Sequence, residues 1–540
     1  MAESQNSTPQ VGSSSSSSSA KKHPYKKRLI MCCDGTWMNS DKGSEDRFGH
    51  TTLQVPSNVT RISRSFKRLC DDGCMQIINY ESGVGTGSNT LDSITGGAFG
   101  TGLSERVREA YQFICANYCD GDEIILIGFS RGAYTVRSVA GMIGDIGLLT
   151  RDGTELFYPI FKDMENWMDK DYDDPFPTLP FSEKPKGANA SKEYKARLER
   201  LGLTRVRQDG GTGDLIKVKA VGVWDTVGSL GIPEIEHAFQ ALALDETRPP
   251  FSPAVWERLP NNKLTTDLRQ VWFPGNHGNV GGGWPDQGIA NISLAWMMDQ
   301  LASVGVEFDE KSLEKIFTRQ VQHYDSLAKP SPSSTPSSSF SRKKEQILWA
   351  VEQIHSPNHP RRPWGLGEIK RASNPLYALA GKKARTPGLY HEVDAKTNQP
   401  KKEFLLDTNE RIHPSVRVRL ACKGLGLDDL GVWEAESLKK WKLVRVNAGA
   451  ANNGGTNGID ANGNAVSETT EWWGPTKVEQ EDIKDAGLWA WDYVGPSGDA
   501  PPVRRLMEER LGPYERYFLK LSGGTPNSYQ WAGESFSEKK

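Results

Sequence analysis

The chain is poor in the features that mark secreted scaffolds and membrane-spanning proteins. It has only seven cysteines among 540 residues, and an odd number cannot all pair within one chain, which excludes a small disulfide-held fold. Its apolar runs all fall short of the roughly 18 residues that a transmembrane helix needs, and the mean hydropathy is −0.57. The N-terminus lacks the apolar stretch of a secretory signal. We therefore expect an intracellular, cytoplasmic protein.

A surplus of either charge is also missing. The 66 Lys and Arg residues nearly balance the 68 Asp and Glu residues, which leaves a formal charge of −2. Nucleic acid held by bulk electrostatics would need a basic surplus, so we expect no nucleic-acid partner. The balance leaves peripheral membrane contact and protein partners open.

The cysteine spacing does not favour a metal centre. Cys70 and Cys74, like Cys115 and Cys119, are separated by three residues, whereas thiolate zinc sites usually have two residues between the thiols. The second pair also fits the face of a helix. We expect free thiols, no metal and no cofactor.

The length predicts more than one unit, because a single core stops growing at about 250–300 residues. We divide the chain by composition into a disordered Ser-rich tail, a catalytic domain with an insertion, a low-complexity insert, and a C-terminal part packed on the catalytic domain with a flexible insert of its own. In order, these segments are 1–26, 27–325 with insertion 150–214, 326–345, and 346–540 with insert 447–464.

Apolar runs alternate with helical periodicity in the first 300 residues. The predicted strands are 28–33, 76–80, 123–127, 216–224 and 270–273, and the predicted helices are 103–118, 133–143 and 292–304. Such alternation predicts an α/β fold whose mostly parallel sheet has helices on both faces. Large insertions and an irregular C-terminal extension, with one strand at 488–493, complete the prediction.

The strongest chemical signal is Gly128-Phe129-Ser130-Arg131-Gly132, a G-x-S-x-G motif. It follows an apolar strand and opens a helix of small residues, which is the context of a nucleophile elbow. The sharp turn requires small residues two positions before and after the nucleophile, and the helix N-terminus favours a developing oxyanion. The alternative is an ordinary strand-to-helix turn in which Ser130 caps the helix.

A nucleophilic serine needs a base and an acid that orients it. Asp225 and His277 each follow a predicted strand, and the order Ser, Asp, His is that of α/β-hydrolases. His413 is a rival base. We prefer His277, because its glycine-lined loop suits a base that must approach the substrate.

The oxyanion hole is predicted from the same template. The N–H of Arg131 should supply one donor, and the loop after the first strand, with Gly35 and Thr36, should supply the second. Asp34 is expected to bond to the backbone of that loop. If Ser130 follows the fifth hydrolase strand, strands 28–33 and 76–80 are the third and fourth, and the first two are missing.

Six blocks of the chain resemble a family of formerly uncharacterised domains that includes the catalytic domain of type VI secretion phospholipase effectors of the first lipase class. The blocks are LIMCCDGTWMNSD, NVTRI, YESGVGTG, GFSRGAYTVRSVAGMI, VGVWDTVGSLGIP and WFPGNHGNVGGGWPDQGIANISLAWM, and IHPSVRVR resembles a later block. The resemblance implies an α/β-hydrolase fold, a Ser130–Asp225–His277 triad and ester hydrolysis; phospholipids are the substrates of the best-known members of the family.

One block departs from the family pattern H-S-D-x-G-G-G. Here it reads His277-Gly278-Asn279-Val280, so an amide replaces the carboxylate. The triad stays intact, but any auxiliary role of that aspartate, including ordering of the base, does not carry over.

The sequence therefore predicts a serine hydrolase that cleaves carboxylic esters through an acyl-enzyme, with a small ester or a lipid as substrate. The alternative is a catalytically silent hydrolase fold that serves as a scaffold for a protein partner. Six acidic residues in 163–174 should repel anionic bilayers. We therefore expect soluble esters to be hydrolysed with little gain at a lipid interface.

Overall fold

The computed structural model describes residues 26–35, 38, 43–45, 51–83, 101–226, 235–328, 362, 364–370, 381–394, 399–446, 456–459, 465–467 and 488–521. The predicted tail up to residue 25, the loop residue Thr36, residues 329–345 of the first insert and most of the insert 447–464 lie outside these ranges. The predictions made for them remain predictions.

The strands of the described residues are β1 (Lys27–Cys33), β2 (Gly43–Glu45), β3 (Thr51–Leu53), β4 (Met75–Glu81), β5 (Glu123–Phe129), β6 (Leu148–Leu149), β7 (Thr204–Arg205), β8 (Val218–Trp224), β9 (Ile235–Ala243), β10 (Asp267–Phe273), β11 (His391–Val393), β12 (Pro400–Phe404), β13 (Glu410–Ile412), β14 (Trp441–Val446), β15 (Thr456–Ile459), β16 (Ala465–Ser467), β17 (Leu488–Tyr493) and β18 (Arg505–Met507).

The helices are α1 (Asn58–Ser63), α2 (Thr101–Asn117), α3 (Arg131–Ile146), α4 (Arg151–Glu155), α5 (Phe157–Asn166), α6 (Ala190–Arg200), α7 (His277–Gly281), α8 (Gly288–Ser303), α9 (Glu310–Ala328), α10 (Pro414–Ala421) and α11 (Pro513–Leu521). Among the described residues, none of these helices is both long and apolar enough to cross a bilayer.

A seven-stranded sheet in the order β4-β1-β5-β8-β9-β10-β13 forms the centre of the fold. Every neighbouring pair in it is parallel. Side chains of α1 and α8 form the core on one face, and side chains of α2 and α3 form the core on the other. This arrangement confirms the predicted α/β fold, and it explains why β5 reads as a continuous apolar run, since parallel strands are buried on both faces.

The winding of the chain fixes where a ligand can bind. From β1 the chain first adds β4 on one side and then β5 on the other, which makes the β1–β5 boundary a topological switch point. Open α/β sheets bind ligands in the crevice outside the carboxyl ends of their strands at such a point. Ser130 directly follows β5 at this edge.

Two strands of the sheet were missed by the sequence prediction. β9 lies between β8 and β10, and β13 pairs with β10 at the edge of the sheet. The second comes from the C-terminal part of the chain, so that part contributes backbone hydrogen bonds to the central sheet.

In the part of the chain that the structure describes, the insertion 150–214 contributes no strand to the seven-stranded sheet. Its strand β7 pairs only with the two-residue β6. The Nζ of Lys195 donates to the Gly144 carbonyl at 2.6 Å, and Arg205 donates to the Cys115 carbonyl at 3.2 Å. These contacts fix the insertion to the C-terminal ends of α3 and α2, which lie away from Ser130.

The C-terminal part packs on the catalytic domain through α11. Asp299 of α8 accepts hydrogen bonds from the backbone N–H groups of Tyr514 at 2.7 Å and Glu515 at 3.0 Å. These are first-turn N–H groups that have no partner within the helix. The predicted strand 488–493 is confirmed as β17, which pairs with β14 and β18 in a separate antiparallel sheet.

Candidate active site

Ser130 occupies the strained turn between β5 and α3. Its backbone has φ 56° and ψ −118°, a conformation that costs a residue other than glycine about 1–3 kcal/mol. The side chain is 6% exposed, and the backbone N–H donates to the Trp224 carbonyl at 3.1 Å. This is the backbone geometry that a nucleophile elbow requires.

The two glycines of the motif lie where the backbone leaves no room for a Cβ atom. A Cβ at Gly128 would lie 2.5 Å from the Gly132 carbonyl oxygen, and a Cβ at Gly132 would overlap the Cys33 carbonyl. Any side chain at either position would push α3 away from the sheet. The structure therefore confirms the steric reason for small residues two positions before and after Ser130.

The Ser130 side chain makes no capping hydrogen bond to α3 within the described residues. An N-capping serine would accept from an N–H of the first turn. The alternative interpretation of the motif as a capped turn therefore lacks its defining contact.

Asp225 and His277 come together although 52 residues separate them. His277 Nδ1 lies 2.6 Å from Asp225 Oδ2. Asp225 directly follows β8, which lies next to β5 in the sheet, and the residue is completely buried. With Nδ1–H donating to the carboxylate, the other ring nitrogen, Nε2, is the acceptor that a base needs.

The carboxylate of Asp225 is held in its charged form. Burial would raise its pKa, but the charge of Arg385 and the hydrogen bond from His277 outweigh burial and keep the pKa well below the usual range. Oδ1 also accepts the backbone N–H of Ala243 at 3.0 Å. An ionised acceptor fixes the tautomer of His277.

Aromatic rings enclose the imidazole of His277. Its centroid is 4.6 Å from that of Phe129 and 4.8 Å from that of Phe251. Phe129 immediately precedes Ser130, so this packing places the His277 imidazole against the residue before Ser130. Gly281 lies against the same Phe129 ring, where any Cβ would overlap it, which gives a reason for the first glycine of the triple-glycine run.

His277 is the first residue of α7, whose N-cap is Asn276. The Asn276 side chain accepts hydrogen bonds from the N–H groups of Gly278 and Asn279. In turn, the Asn279 side chain accepts the N–H of Asn276, which completes a reciprocal capping box. This box fixes the backbone that carries the base.

Asn279 stands where the family pattern has aspartate, and both the oxygen and the nitrogen of its side-chain amide form hydrogen bonds. Its Oδ1 accepts the Asn276 N–H at 3.2 Å, while its Nδ2 donates to the Glu368 carbonyl at 2.7 Å. A carboxylate could replace the first contact but not the second, because it has no N–H to donate. The order of this loop therefore comes from the amide.

Asn279→Asp is accordingly expected to lower the free energy of unfolding at pH 7 by about 1–3 kcal/mol, since two oxygens would face each other in a buried place. The new carboxyl would have a raised pKa in the folded state. Its penalty is therefore absent below the unfolded pKa of about 4 and grows as the pH rises through the folded value.

Chemical denaturation of this variant at several pH values measures the effect. Asn279→Ala is the matched control, because it loses the same hydrogen bond without adding a titrating group, and its loss should not depend on pH. Wild-type stability of Asn279→Asp at pH 7 would contradict the assignment.

The loop after β1 differs from the predicted oxyanion loop in one respect. The Gly35 N–H donates to Asp34 Oδ1 at 2.7 Å, so Asp34 does bond to the loop backbone, but that N–H is already engaged. Gly35 instead provides room, since a Cβ there would lie 2.7 Å from the Phe129 ring and 3.4 Å from Ser130 Cβ. Thr36 lies outside the described residues. Arg131 is the first residue of α3, and the oxyanion role of its N–H stays a prediction.

Asp34 anchors this loop to two other elements. Its Oδ2 accepts from Ser57 Oγ at 2.6 Å, Thr60 Oγ1 at 2.7 Å and the Tyr80 hydroxyl at 2.9 Å. Burial raises the pKa of Asp34, while these hydrogen bonds lower it. The carboxyl therefore holds the loop beside Ser130.

His413, the rival base, lies in the core and connects two helices. It follows β13, four strand spacings from β5, or about 19 Å at the usual distance between strands. It is completely buried, with Nε2 2.6 Å from Glu515 Oε1 and Nδ1 2.7 Å from Ser415 Oγ. Burial lowers its pKa to about 3. Both ring nitrogens thus link α10 to α11.

A cluster of possible metal ligands lies away from this site. Atoms of Cys70, Asp72 and Glu307 lie within 4.8 Å of one another. Arg28 donates to Cys70 Sγ and to Asp72, both at 3.4 Å, and Lys67 Nζ lies 2.8 Å from Glu307. Cationic side chains therefore neutralise the cluster. All seven cysteines are free thiols, as predicted.

Sequence reasoning missed Arg385 and the capping role of Asn276. The Asn-x-x-Asn pattern at 276–279 could have indicated the cap. Arg385 has no such signal, because it lies 160 residues from the carboxylate that it binds.

Residues 27–300 match the family model described as the catalytic domain of Tle1-like phospholipase effectors of the type VI secretion system (T6SS). That range contains Ser130, Asp225 and His277 but not Arg385.

Three individual proteins are similar to part of the chain. The uncharacterized protein YEL023C of Saccharomyces cerevisiae is 26% identical over 264 residues, covering 43% of this chain and 33% of its own. A crystal structure of an uncharacterized Pseudomonas aeruginosa protein has 15% identity and a TM-score of 0.30, covering 57% of this chain and 51% of that one. The Tle1 effector bound to the VgrG spike has 17% identity and a TM-score of 0.25, covering 48% and 52%. The chain thus spans a third to about half of these relatives.

Proposed function

The chain belongs to the family of Tle1-like phospholipase effector catalytic domains, whose model matches residues 27–300, and from this premise we propose that it is a lipase-type serine hydrolase acting on carboxylic esters. The observation that carries the proposal is the strained Ser130 at the carboxyl edge of the sheet, together with the buried Asp225–His277 pair beside it. Such strain is retained where a function needs it.

The first half-reaction follows from these positions. His277 Nε2 removes the hydroxyl proton of Ser130 as Oγ bonds to the acyl carbon of the ester. The carbonyl oxygen gains the negative charge, which the Arg131 N–H and the N-terminal dipole of α3 stabilise. Collapse of the tetrahedral intermediate breaks the ester bond, and the imidazolium gives its proton to the leaving alcohol. An acyl-serine remains.

The second half-reaction reverses these roles. His277 takes a proton from water, the hydroxide bonds to the acyl carbon, and Ser130 leaves with the proton that the imidazolium returns. Asp225 stays ionised throughout and stabilises the imidazolium in both steps. Its low pKa suits this task, since the carboxylate is not the group that titrates.

A panel of p-nitrophenyl esters of graded chain length tests the function. We expect the purified protein to hydrolyse esters of short and medium acyl length. The rate at saturation should depend on acyl length, because a pocket of fixed shape accepts some acyl groups better than others. Turnover of no ester in the panel would contradict the proposal and favour a silent scaffold.

The surface predicts soluble rather than interfacial substrates. Lys184 binds Asp163 at 2.8 Å and Asp174 at 2.7 Å, which neutralises part of the acidic insertion. Asp169 and Asp171 remain exposed beside Met168, and their charge should repel anionic lipid.

Initial rates across the critical micelle concentration measure this preference, with neutral and anionic phospholipid vesicles as further substrates. We expect little increase at the micellar threshold and less fatty-acid release from anionic than from neutral vesicles. A sharp rise at the threshold, or faster release from anionic vesicles than from soluble ester, would instead assign the chain to interfacial phospholipid hydrolysis.

A further inference from the structure

Arg385 forms a two-pronged contact with the acid of the proposed triad. Its Nη2 lies 2.9 Å from Asp225 Oδ2, and its Nη1 contacts Oδ1. The same guanidinium donates to the Ala243 carbonyl at 2.8 Å and to the Phe251 carbonyl at 2.7 Å. Arg385 is 3% exposed. Its planar fork is therefore fixed by four contacts in a buried place.

The contacts of Arg385 involve two groups that touch His277: the carboxylate of Asp225 and the backbone of Phe251. Asp225 Oδ2 is shared between Arg385 and His277 Nδ1, at 2.9 and 2.6 Å. Phe251, whose carbonyl binds Arg385, packs its ring on the His277 imidazole. The guanidinium thus fixes the carboxylate that orients His277 and the backbone of a ring that encloses it.

A positive charge at this position also acts on the proton affinity of His277. When His277 is protonated, two cations share one carboxylate oxygen, and their repulsion disfavours that protonated form. Replacing Arg385 with a neutral residue removes that repulsion.

Three further titratable groups lie around the pair. Glu246 accepts the His277 backbone N–H at 3.3 Å and is paired with Arg248 at 2.7 Å.

Tyr390 and Asp245 both interact with the charge of Arg385. Burial raises the pKa of Tyr390 beyond the physiological range. Burial also raises the pKa of Asp245, while the charge of Arg385 lowers it.

We propose that Arg385, supplied by the C-terminal part of the chain, is a positioning residue that fixes Asp225 toward His277 and lowers the pH at which the catalytic base becomes protonated. The inference rests on the proposed function, and it places part of the active site outside the matched domain, which ends 85 residues earlier, at residue 300. The matched domain alone would leave the buried Asp225 without its counter-charge.

The pH dependence of kcat/KM for a soluble ester tests the proposal, because its acid limb reports protonation of the free enzyme's base. Removing the charge in Arg385→Gln should shift that limb upward by about one to two pH units, because the guanidinium and the imidazole contact the same carboxylate oxygen in a buried site. The direction holds whichever member of the pair takes the proton.

Arg385→Lys separates charge from geometry. Lysine keeps the positive charge but lacks the fork, so the limb should stay at the wild-type pH while kcat falls at least about tenfold through misorientation of the base. Should Arg385→Gln fail to fold, this variant still decides the matter, since wild-type kcat in Arg385→Lys would overturn the positioning role.

Arg417→Gln is the matched structural control. Arg417 makes an equivalent buried pair with Glu508, with contacts of 2.8 and 2.9 Å, but away from the triad. Its loss should lower the melting temperature and leave the limb in place. An unmoved limb in Arg385→Gln, with kcat lowered no more than in Arg417→Gln, would contradict the proposal.

Failure of the proposal and failure of the proposed function have different outcomes. Wild-type protein that hydrolyses no ester and takes no fluorophosphonate contradicts the serine hydrolase itself. Wild-type turnover with an unmoved limb in Arg385→Gln contradicts only the role of Arg385.

Discussion

Ser130→Ala is expected to lower kcat for ester hydrolysis by roughly four to six orders of magnitude, as loss of a triad nucleophile does in other serine hydrolases. The fold should survive, because the Ser130 side chain makes no capping bond to α3. Circular dichroism and the melting temperature should therefore match those of the wild type, while turnover of a p-nitrophenyl ester disappears.

Ser130→Gly supplies a control that tests the strain as well. Glycine adopts the φ of 56° found here at little cost, so this variant should be inactive yet more stable than Ser130→Ala by about 1 kcal/mol. Substantial turnover in either variant would contradict the assignment of Ser130. Equal stability of the two would contradict the strain at the turn.

His277→Ala should have the second largest effect, a loss of several orders of magnitude in kcat, because it removes the group proposed to accept the Ser130 proton. His237→Ala is the matched control. His237 Nδ1 lies 3.3 Å from Asp267, so it too is a histidine beside an aspartate, but at the start of β9, the end of the sheet away from Ser130. Its replacement should leave kcat unchanged.

His413→Ala distinguishes the two candidate bases. Its loss should lower the melting temperature, since both ring nitrogens are bonded in the core, but turnover per folded molecule should stay within a few-fold of the wild type. Near-normal turnover in His277→Ala together with collapse in His413→Ala would exchange the two roles.

Much of the fold could be predicted because its signals are local. β1 and β5 are short apolar runs bounded by turn residues, and the elbow is a strand–turn–helix pattern contained within 25 residues, from 122 to 146. β9 was missed because polar residues interrupt it. Gln240 is buried there, and its amide donates to the Gln270 side-chain oxygen on β10 at 3.2 Å, so a polar side chain lies inside the sheet where an apolar run would be expected. β13 has only three residues, too few for a periodic signal.

The site was predictable only as far as its motifs extend. Asp225 and His277 were found because each follows a strand, and the sheet then brings those strand ends to one edge. The hydrogen bond from the Gly35 N–H to the Asp34 carboxylate depends on the orientation of the Asp34 side chain, which the pattern Asp-Gly-Thr does not specify. Arg385 reaches Asp225 through the tertiary fold alone, and nothing near it in the sequence marks an arginine of this kind.

Covalent labelling tests the central claim, that Ser130 is the nucleophile, most directly. The protein is treated with a fluorophosphonate, digested, and the modified peptide is identified by mass spectrometry, with Ser130→Ala treated in parallel. We predict one phosphonylated residue, Ser130, in the wild type and no adduct in the variant. An adduct on another serine, or labelling that persists in Ser130→Ala, would contradict the account.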